Sequence, residues 1–198
     1  MGLTKTQIKI LEIFTSKITQ RFSIKQISEL LKKPYPLIYY SIIDLLKQEL
    51  VIKDEKGFIH LNYAGENSNL CYIESIRKSE FLKKNKTLSL FVKDVISNNQ
   101  LNFFIFLIFG SSVHSTNFRD VDVLIIVEKK DEINLMEKFV LNISKNFTLK
   151  FDISVIDTKS FHEMVLRRSE KNIINESLNN HIILFGAENY YKILKNVR

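Results

Sequence analysis

Three aspartates and a glycine–serine pair supply the residue types from which metal-assisted phosphate chemistry is built. Asp120 and Asp122 stand two apart, separated by Val121 and followed by Val123. In a strand, that spacing sends both carboxylates to one face and both valines to the other, toward the core. Asp152 sits inside the apolar run Leu149-Lys150-Phe151-Asp152-Ile153-Ser154-Val155. Strands disfavour aspartate, and a buried carboxylate flanked by Phe and Ile needs a partner, of which a divalent cation is one. Two acids on one strand and a third on its neighbour could hold a pair of Mg²⁺ ions. Two metals clamp the attacking and leaving oxygens of a phosphoryl or nucleotidyl transfer. Upstream, Gly110-Ser111 closes the apolar run 103–109. A glycine there lets backbone N–H groups approach phosphate without a Cβ in the way. The Ser111 hydroxyl can donate to a phosphate oxygen, and a helical turn from Ser112 would aim its positive end at the same anion.

These residues need a sheet to position them, and the carboxyl-terminal half reads as one. Residues 103–109 are aromatic and β-branched, the pattern of a strand buried on both faces. A second strand is expected over 121–128 and a third over 149–156. Between them, Ile133, Met136, Phe139, Val140 and Ile143 mark the inner face of a helix over 130–146. Thr158 opens a further helix reaching about residue 175, 182–185 is a short edge strand, and 187–196 closes the chain as a helix. The expected fold class is α+β, with a small mixed sheet in residues 101–198.

The amino-terminal third reads differently. Ile8, Leu11 and Phe14 recur at helical spacing over 4–16, and Ser23 is a suitable N-cap for a helix over 24–31. Pro34 and Pro36 separate that helix from a third over 36–49, since proline is tolerated only in a helix's first turn. Two short apolar segments, 51–53 and 58–61, flank a turn ending in Gly57, which makes a hairpin. Polar residues 63–75 mark a boundary, so residues 1–66 are expected to form one domain. Residues 67–100 follow as linker and connecting helix, with a single helix over 76–98.

Composition bounds the partners. The chain has 198 residues, 29 basic against 22 acidic, and a formal net charge of +7, which permits a nucleic-acid or nucleotide partner without requiring one. Cys71 is the sole cysteine, which excludes an internal disulfide and a cysteine-based zinc site. The longest apolar run, seven residues, is far short of the ~20 that cross a membrane, and the opening residues are periodic rather than a signal peptide. The expectation is a cytoplasmic protein with no membrane partner.

Two resemblances sharpen these readings. Helix, helix, helix, hairpin is the order of a winged helix-turn-helix, and residues 37–62 resemble that family, with Leu50 just before the wing and Glu49 where a glycine is common. The resemblance implies a recognition helix in a DNA major groove and a wing on phosphate. Lys32, Lys33, Lys53 and Lys56 would meet phosphates, while the outward Tyr35, Tyr39 and Tyr40 would stack or pack. No Arg or Lys stands on the outward face of the third helix to read guanine, so a module for protein contact or homodimerisation remains open. In the second half, Phe109-Gly110-Ser111, Asp120-Val121-Asp122-Val123 and Asp152 together resemble the DNA polymerase β-type nucleotidyltransferases, nearest to their minimal members. The likeness covers about residues 101–157, and Leu184-Phe185-Gly186 adds to it. It implies transfer of a nucleoside monophosphate, most readily AMP from ATP or another nucleoside triphosphate, with two Mg²⁺ ions. Gly110 and Ser111 would hold the triphosphate, Asp120 and Asp122 the metals, and Asp152 the acceptor-side metal and the attacking hydroxyl. The acceptor could be a protein side chain, an RNA end or a small alcohol. His114 and Ser115 stand where many members carry a basic residue and a glycine, and the segment 112–119, ending in Arg119, is shorter than usual. That shortening leaves a second reading, a DNA-binding regulator whose carboxyl half binds nucleotide without reacting.

Overall fold

The computed structural model describes residues 2–65, 67–114, 120–167 and 172–196. Helix α1 (Lys5–Ser16) opens with a capping box, in which Thr4 accepts from the Gln7 amide and Gln7 accepts from that of Thr4. Helix α2 (Ile24–Leu31) repeats the device with Ser23 and Gln26, as Ser23 predicted. Pro34 and Pro36 start α3 (Tyr35–Lys47). Strands β1 (Val51–Lys53) and β2 (Ile59–Leu61) form the antiparallel hairpin. At the entry to β1, Glu49 adopts φ +55°, a left-handed conformation that disfavours side chains. The Asn62 amide, which donates to the Glu49 carbonyl at 2.7 Å, helps hold that turn.

The expected single helix over 76–98 is two helices, α4 (Ser68–Lys84) and α5 (Lys86–Asn98). Asn85 breaks them: its side-chain amide donates to the Phe81 carbonyl at 2.8 Å and so competes with the helical ladder. Helix α4 also begins eight residues earlier than its apolar pattern suggested, because its inward face carries Glu74 and Arg77.

Strands β3 (Phe104–Phe109), β4 (Asp120–Val127), β5 (Lys150–Asp157) and β6 (His181–Phe185) form one mixed sheet in the order β5-β4-β3-β6. The fold is α+β. Strand β3 is antiparallel to both neighbours and buried along its whole length, whereas β4 and β5 are parallel and joined through α6 (Glu132–Ser144). The helix expected to run from Thr158 to about residue 175 stops as α7 (Thr158–Leu166). The separate α8 (Ile173–Ser177) restarts on its own Asn172 cap. Gly186, at φ +78°, turns β6 into α9 (Ala187–Lys195), and a Cβ there would stand 2.6 Å from the Phe104 carbonyl oxygen. Only glycine fits that crossing.

Each sheet face has its own core. On one, Phe104, Phe106, Ile108, Val121, Val123 and Ile125 pack with α5, α6 and Phe81 of α4. On the other, Ile105, Leu107, Leu124 and Ile126 belong to a cluster that takes in α7, α8, α9 and α4. It continues without a break into Ile10, Leu11 and Phe14 of α1, Ile27 of α2 and Ile38, Ile42 and Leu45 of α3. Backbone and side-chain bonds reinforce that continuity: the Ile18 amide donates to the Leu178 carbonyl at 3.1 Å, and Thr19 and Asn179 exchange hydrogen bonds. Among the described residues no helix is long and apolar enough to cross a membrane.

Candidate active site

Strand periodicity places the acids as expected. Val121 and Val123 are fully buried on one face, and Asp120 and Asp122 leave on the other. The parallel register sets Asp122 directly beside Asp152 and Asp120 beside Lys150, while Phe109 faces Asp122 from β3. All three aspartates therefore gather on one face at one end of the sheet.

Asp152 departs from its expected burial: it is exposed. Strand β5 is the outer strand, and its anchoring residues point away from the acids. Phe151 stacks on Phe91 at a centroid distance of 4.0 Å, which fixes the strand and turns Asp152 to the opposite face, where its end of β5 is exposed. A carboxylate in water needs no buried partner, so the argument from desolvation does not apply to it. It applies in part to Asp122, whose carboxyl is pushed up from its ordinary value by burial first and then by the negative charges of Asp152, Glu176 and Asp120.

Glu176, exposed on α8, is thus a fourth acid at this end of the sheet, and sequence reasoning missed it. So did it miss Lys150, whose ammonium lies 3.3 Å from Asp120. Both come from elements distant in sequence or on the facing strand, and neither has a local motif. Among the described residues no three His, Cys, Asp or Glu side chains converge to metal-ligand spacing. The donor set nevertheless suits a hard cation: all its ligand atoms are carboxylate oxygens, and one lysine faces several negative charges.

Gly110 stands over this cluster. Its φ is +74°, and a Cβ would collide with Oδ2 of Asp122 and sit 3.2 Å from its Cγ. The glycine is therefore a requirement of the acid's position. Its N–H donates to the Asn180 carbonyl at 3.3 Å, so Gly110 offers space rather than an amide. Residues Gly110–Val113 form one 3₁₀ turn, with Ser111 exposed and Ser112 buried, its hydroxyl on the Phe109 carbonyl. His114 is exposed at the end of the turn. Ser115 and Arg119 lie outside the described residues.

The other predicted residues lie on α3 and its neighbours. Lys32, in a left-handed cap, and Lys33 lie between α2 and α3; Lys53 and Lys56 lie on the hairpin. Lys33 is half-buried and the other three lysines are exposed. Tyr35, Tyr39 and Tyr40 are exposed, Tyr40 to 68%, and form a ladder of ring contacts at 6.3 and 5.6 Å.

No family model matches the chain, and no curated protein or solved structure matches it significantly.

Proposed function

We propose that the chain is a Mg²⁺-dependent nucleotidyltransferase whose amino-terminal residues form a winged helix-turn-helix. The carrying observation is the register that sets Asp122 beside Asp152, with Asp120 on the same face, under a glycine that leaves no Cβ above them. Asp120 and Asp122 would hold the metal ions, with Asp152 completing the acceptor side. Bound Mg²⁺ supplies charge neutralisation at the phosphate oxygens. Ser111 donates its hydroxyl to a phosphate oxygen. The acceptor hydroxyl forms a bond to the α-phosphorus, the bond from that phosphorus to the bridging oxygen breaks, and pyrophosphate leaves. The acceptor's proton passes to Asp152, whose exposure admits a large acceptor such as a protein side chain or an RNA end.

The experiment is transfer of label from α-labelled ATP, with Mg²⁺, to candidate acceptors and to cell extract. Labelled product that disappears with chelator and in D122N supports the reading. ATP bound without transfer to any acceptor supports the second reading, a regulator that senses nucleotide. The contact between Lys150 and Asp120 favours that alternative, because the lysine occupies a carboxylate a metal would need. No ATP binding overturns both.

For the amino-terminal unit, the exposed tyrosine ladder on α3, with Lys32 and Lys33 before it and Lys53 and Lys56 on the hairpin, supports DNA contact by phosphate binding with modest sequence preference. Retention on DNA should then fall steeply with salt. Loss of a dimer in a Tyr39→Ala, Tyr40→Ala double variant, with no DNA retention at any salt, would replace DNA by a protein partner.

A further inference from the structure

We propose that Asn180 is a positioning residue of the nucleotide site, acting through Gly110; the inference rests on the nucleotidyltransferase reading. Asn180 precedes β6 and holds Gly110 at both ends of its hydrogen-bonding capacity. The Asn180 backbone carbonyl accepts from the Gly110 N–H at 3.3 Å, and the Asn180 side-chain amide donates to the Gly110 carbonyl at 2.8 Å, across 70 residues of sequence. The Asn180 amide oxygen is buried and has no hydrogen-bond partner among the described residues. The amide therefore leaves its oxygen unsatisfied while giving its nitrogen to Gly110, a cost that a flipped amide would not remove at the Gly110 carbonyl.

What is held is a conformation with little tolerance. Gly110 is left-handed at φ +74°, and its α-carbon faces Oδ2 of Asp122 closely enough to exclude a Cβ. A rotation of the Gly110 peptide moves Ser111 and the floor over Asp122 together. Asn180 touches neither nucleotide nor metal in this scheme; it fixes the one residue that both abut.

The neighbouring residue provides the control. Asn179 belongs to the same turn but points the other way, exchanging hydrogen bonds with Thr19 at 2.6 to 3.1 Å. It steadies the turn without reaching Gly110.

The test measures the dissociation constant of ATP with Mg²⁺ by calorimetry on the full chain, and KM and kcat where an acceptor is in hand, for the wild type, N180A, N180D and N179A. Denaturant unfolding is run beside it. N180A is expected to weaken ATP binding about tenfold, raising KM with kcat nearly unchanged, which is the size of one lost hydrogen bond. N180D keeps the volume but sets an oxygen against the Gly110 carbonyl, so it is expected to bind ATP still more weakly. It also serves should N180A fail to fold. N179A is expected to lose comparable stability yet bind ATP as the wild type does. Wild-type affinity in N180A and N180D, or equal weakening in N179A, overturns the positioning role while leaving the nucleotidyltransferase reading intact. A wild type that binds no ATP overturns that reading first, and this role with it.

Discussion

Two clusters of charge lie at the same end of one sheet and follow opposite rules. Behind β6, Glu74 and Arg77 of α4 meet Tyr191 of α9 and His181 in a nearly sealed space. The Arg77 guanidinium donates to Glu74 at 2.7 Å and to the His181 carbonyl, and Tyr191 donates its hydroxyl to the other Glu74 oxygen at 2.8 Å. His181 donates from Nδ1 to the Ser177 carbonyl at 2.7 Å. Its Nε2, 4.0 Å from Glu74, makes no ion pair, because burial and Arg77 keep the imidazole neutral. Across β3, the aspartates have the reverse arrangement among the described residues: negative charges in excess, one exposed lysine, and carboxylates that reach solvent. The first cluster is sealed from solvent and ties α4, β6 and α9 together, with His181 Nε2 its one buried polar side-chain atom lacking a hydrogen-bond partner among the described residues. The second, among the described residues, has one lysine against several carboxylates, the excess of negative charge that the proposed metal assignment requires and that a structural ion pair lacks.

The largest expected effect is at the open cluster. D122N should lower metal-dependent transfer by about 1000-fold or more, equivalent to ~4 kcal/mol of barrier, with a native circular dichroism spectrum. D120N should act in the same direction. Activity surviving both changes removes the metal assignment.

Next comes the closed cluster. R77M leaves Glu74 buried without its cation and should cost about 3–5 kcal/mol in denaturant unfolding. A loss under 1 kcal/mol would mean the buried pair holds nothing together, and the contrast between the clusters would fail.

Two single groups, His181 in the closed cluster and Asp122 in the open one, should answer pH with opposite signs; Glu74, pushed up by its burial, shifts in the same direction as Asp122. His181 has its folded pKa pulled down to about 3 from 6.5. Its contribution is present above 6.5 and is lost as pH falls from there toward 3, because the unfolded chain takes the proton first. Asp122 is raised, so its charge weighs against folding once pH exceeds the ordinary aspartate value of 3.8. D122N should therefore gain stability at neutral pH, and that gain should vanish below the carboxylate range. Thermal scans of the wild type, H181Q and D122N across pH 3 to 8 separate the two, since H181Q should flatten the fall below pH 6.5.

The smallest effect sharpens the comparison most directly. Lys150 is a cation on an acid, as Arg77 is, but its side chain is 78% exposed. K150A should change stability by no more than about 0.5 kcal/mol. A loss near that of R77M would show that the open cluster is structural too.

Local chemistry made much of this legible. Ser23 as a cap, Pro34 and Pro36 as a helix start, and Asp120 and Asp122 on one strand face each rest on neighbours within a few residues, where sequence and geometry coincide. What sequence concealed depends on partners far along the chain. Helix α4 reads as polar where Glu74 and Arg77 turn inward, because their partners Tyr191 and His181 lie more than a hundred residues away. Asp152 reads as buried because Phe151 and Ile153 flank it. Only the tertiary arrangement, with β5 at an edge of the sheet, reveals that Asp152 itself is exposed. Asn180 and Glu176 carry no motif at all; the turn and the short helix that bring them to the site are defined by packing.

The buried cluster that runs from α1, α2 and α3 onto the sheet bears on how such a chain can evolve. Leu70 and Ile73 of α4, and the sheet residues behind them, share one apolar interior with Ile10, Leu11 and Phe14. Exchanging the first 66 residues for an unrelated unit would strip that interior on one side and expose it to water. The amino-terminal third and the sheet are therefore tied to one interior, and substitutions that leave it intact fall on outer positions such as Tyr35, Tyr39 and Tyr40, which that interior does not use.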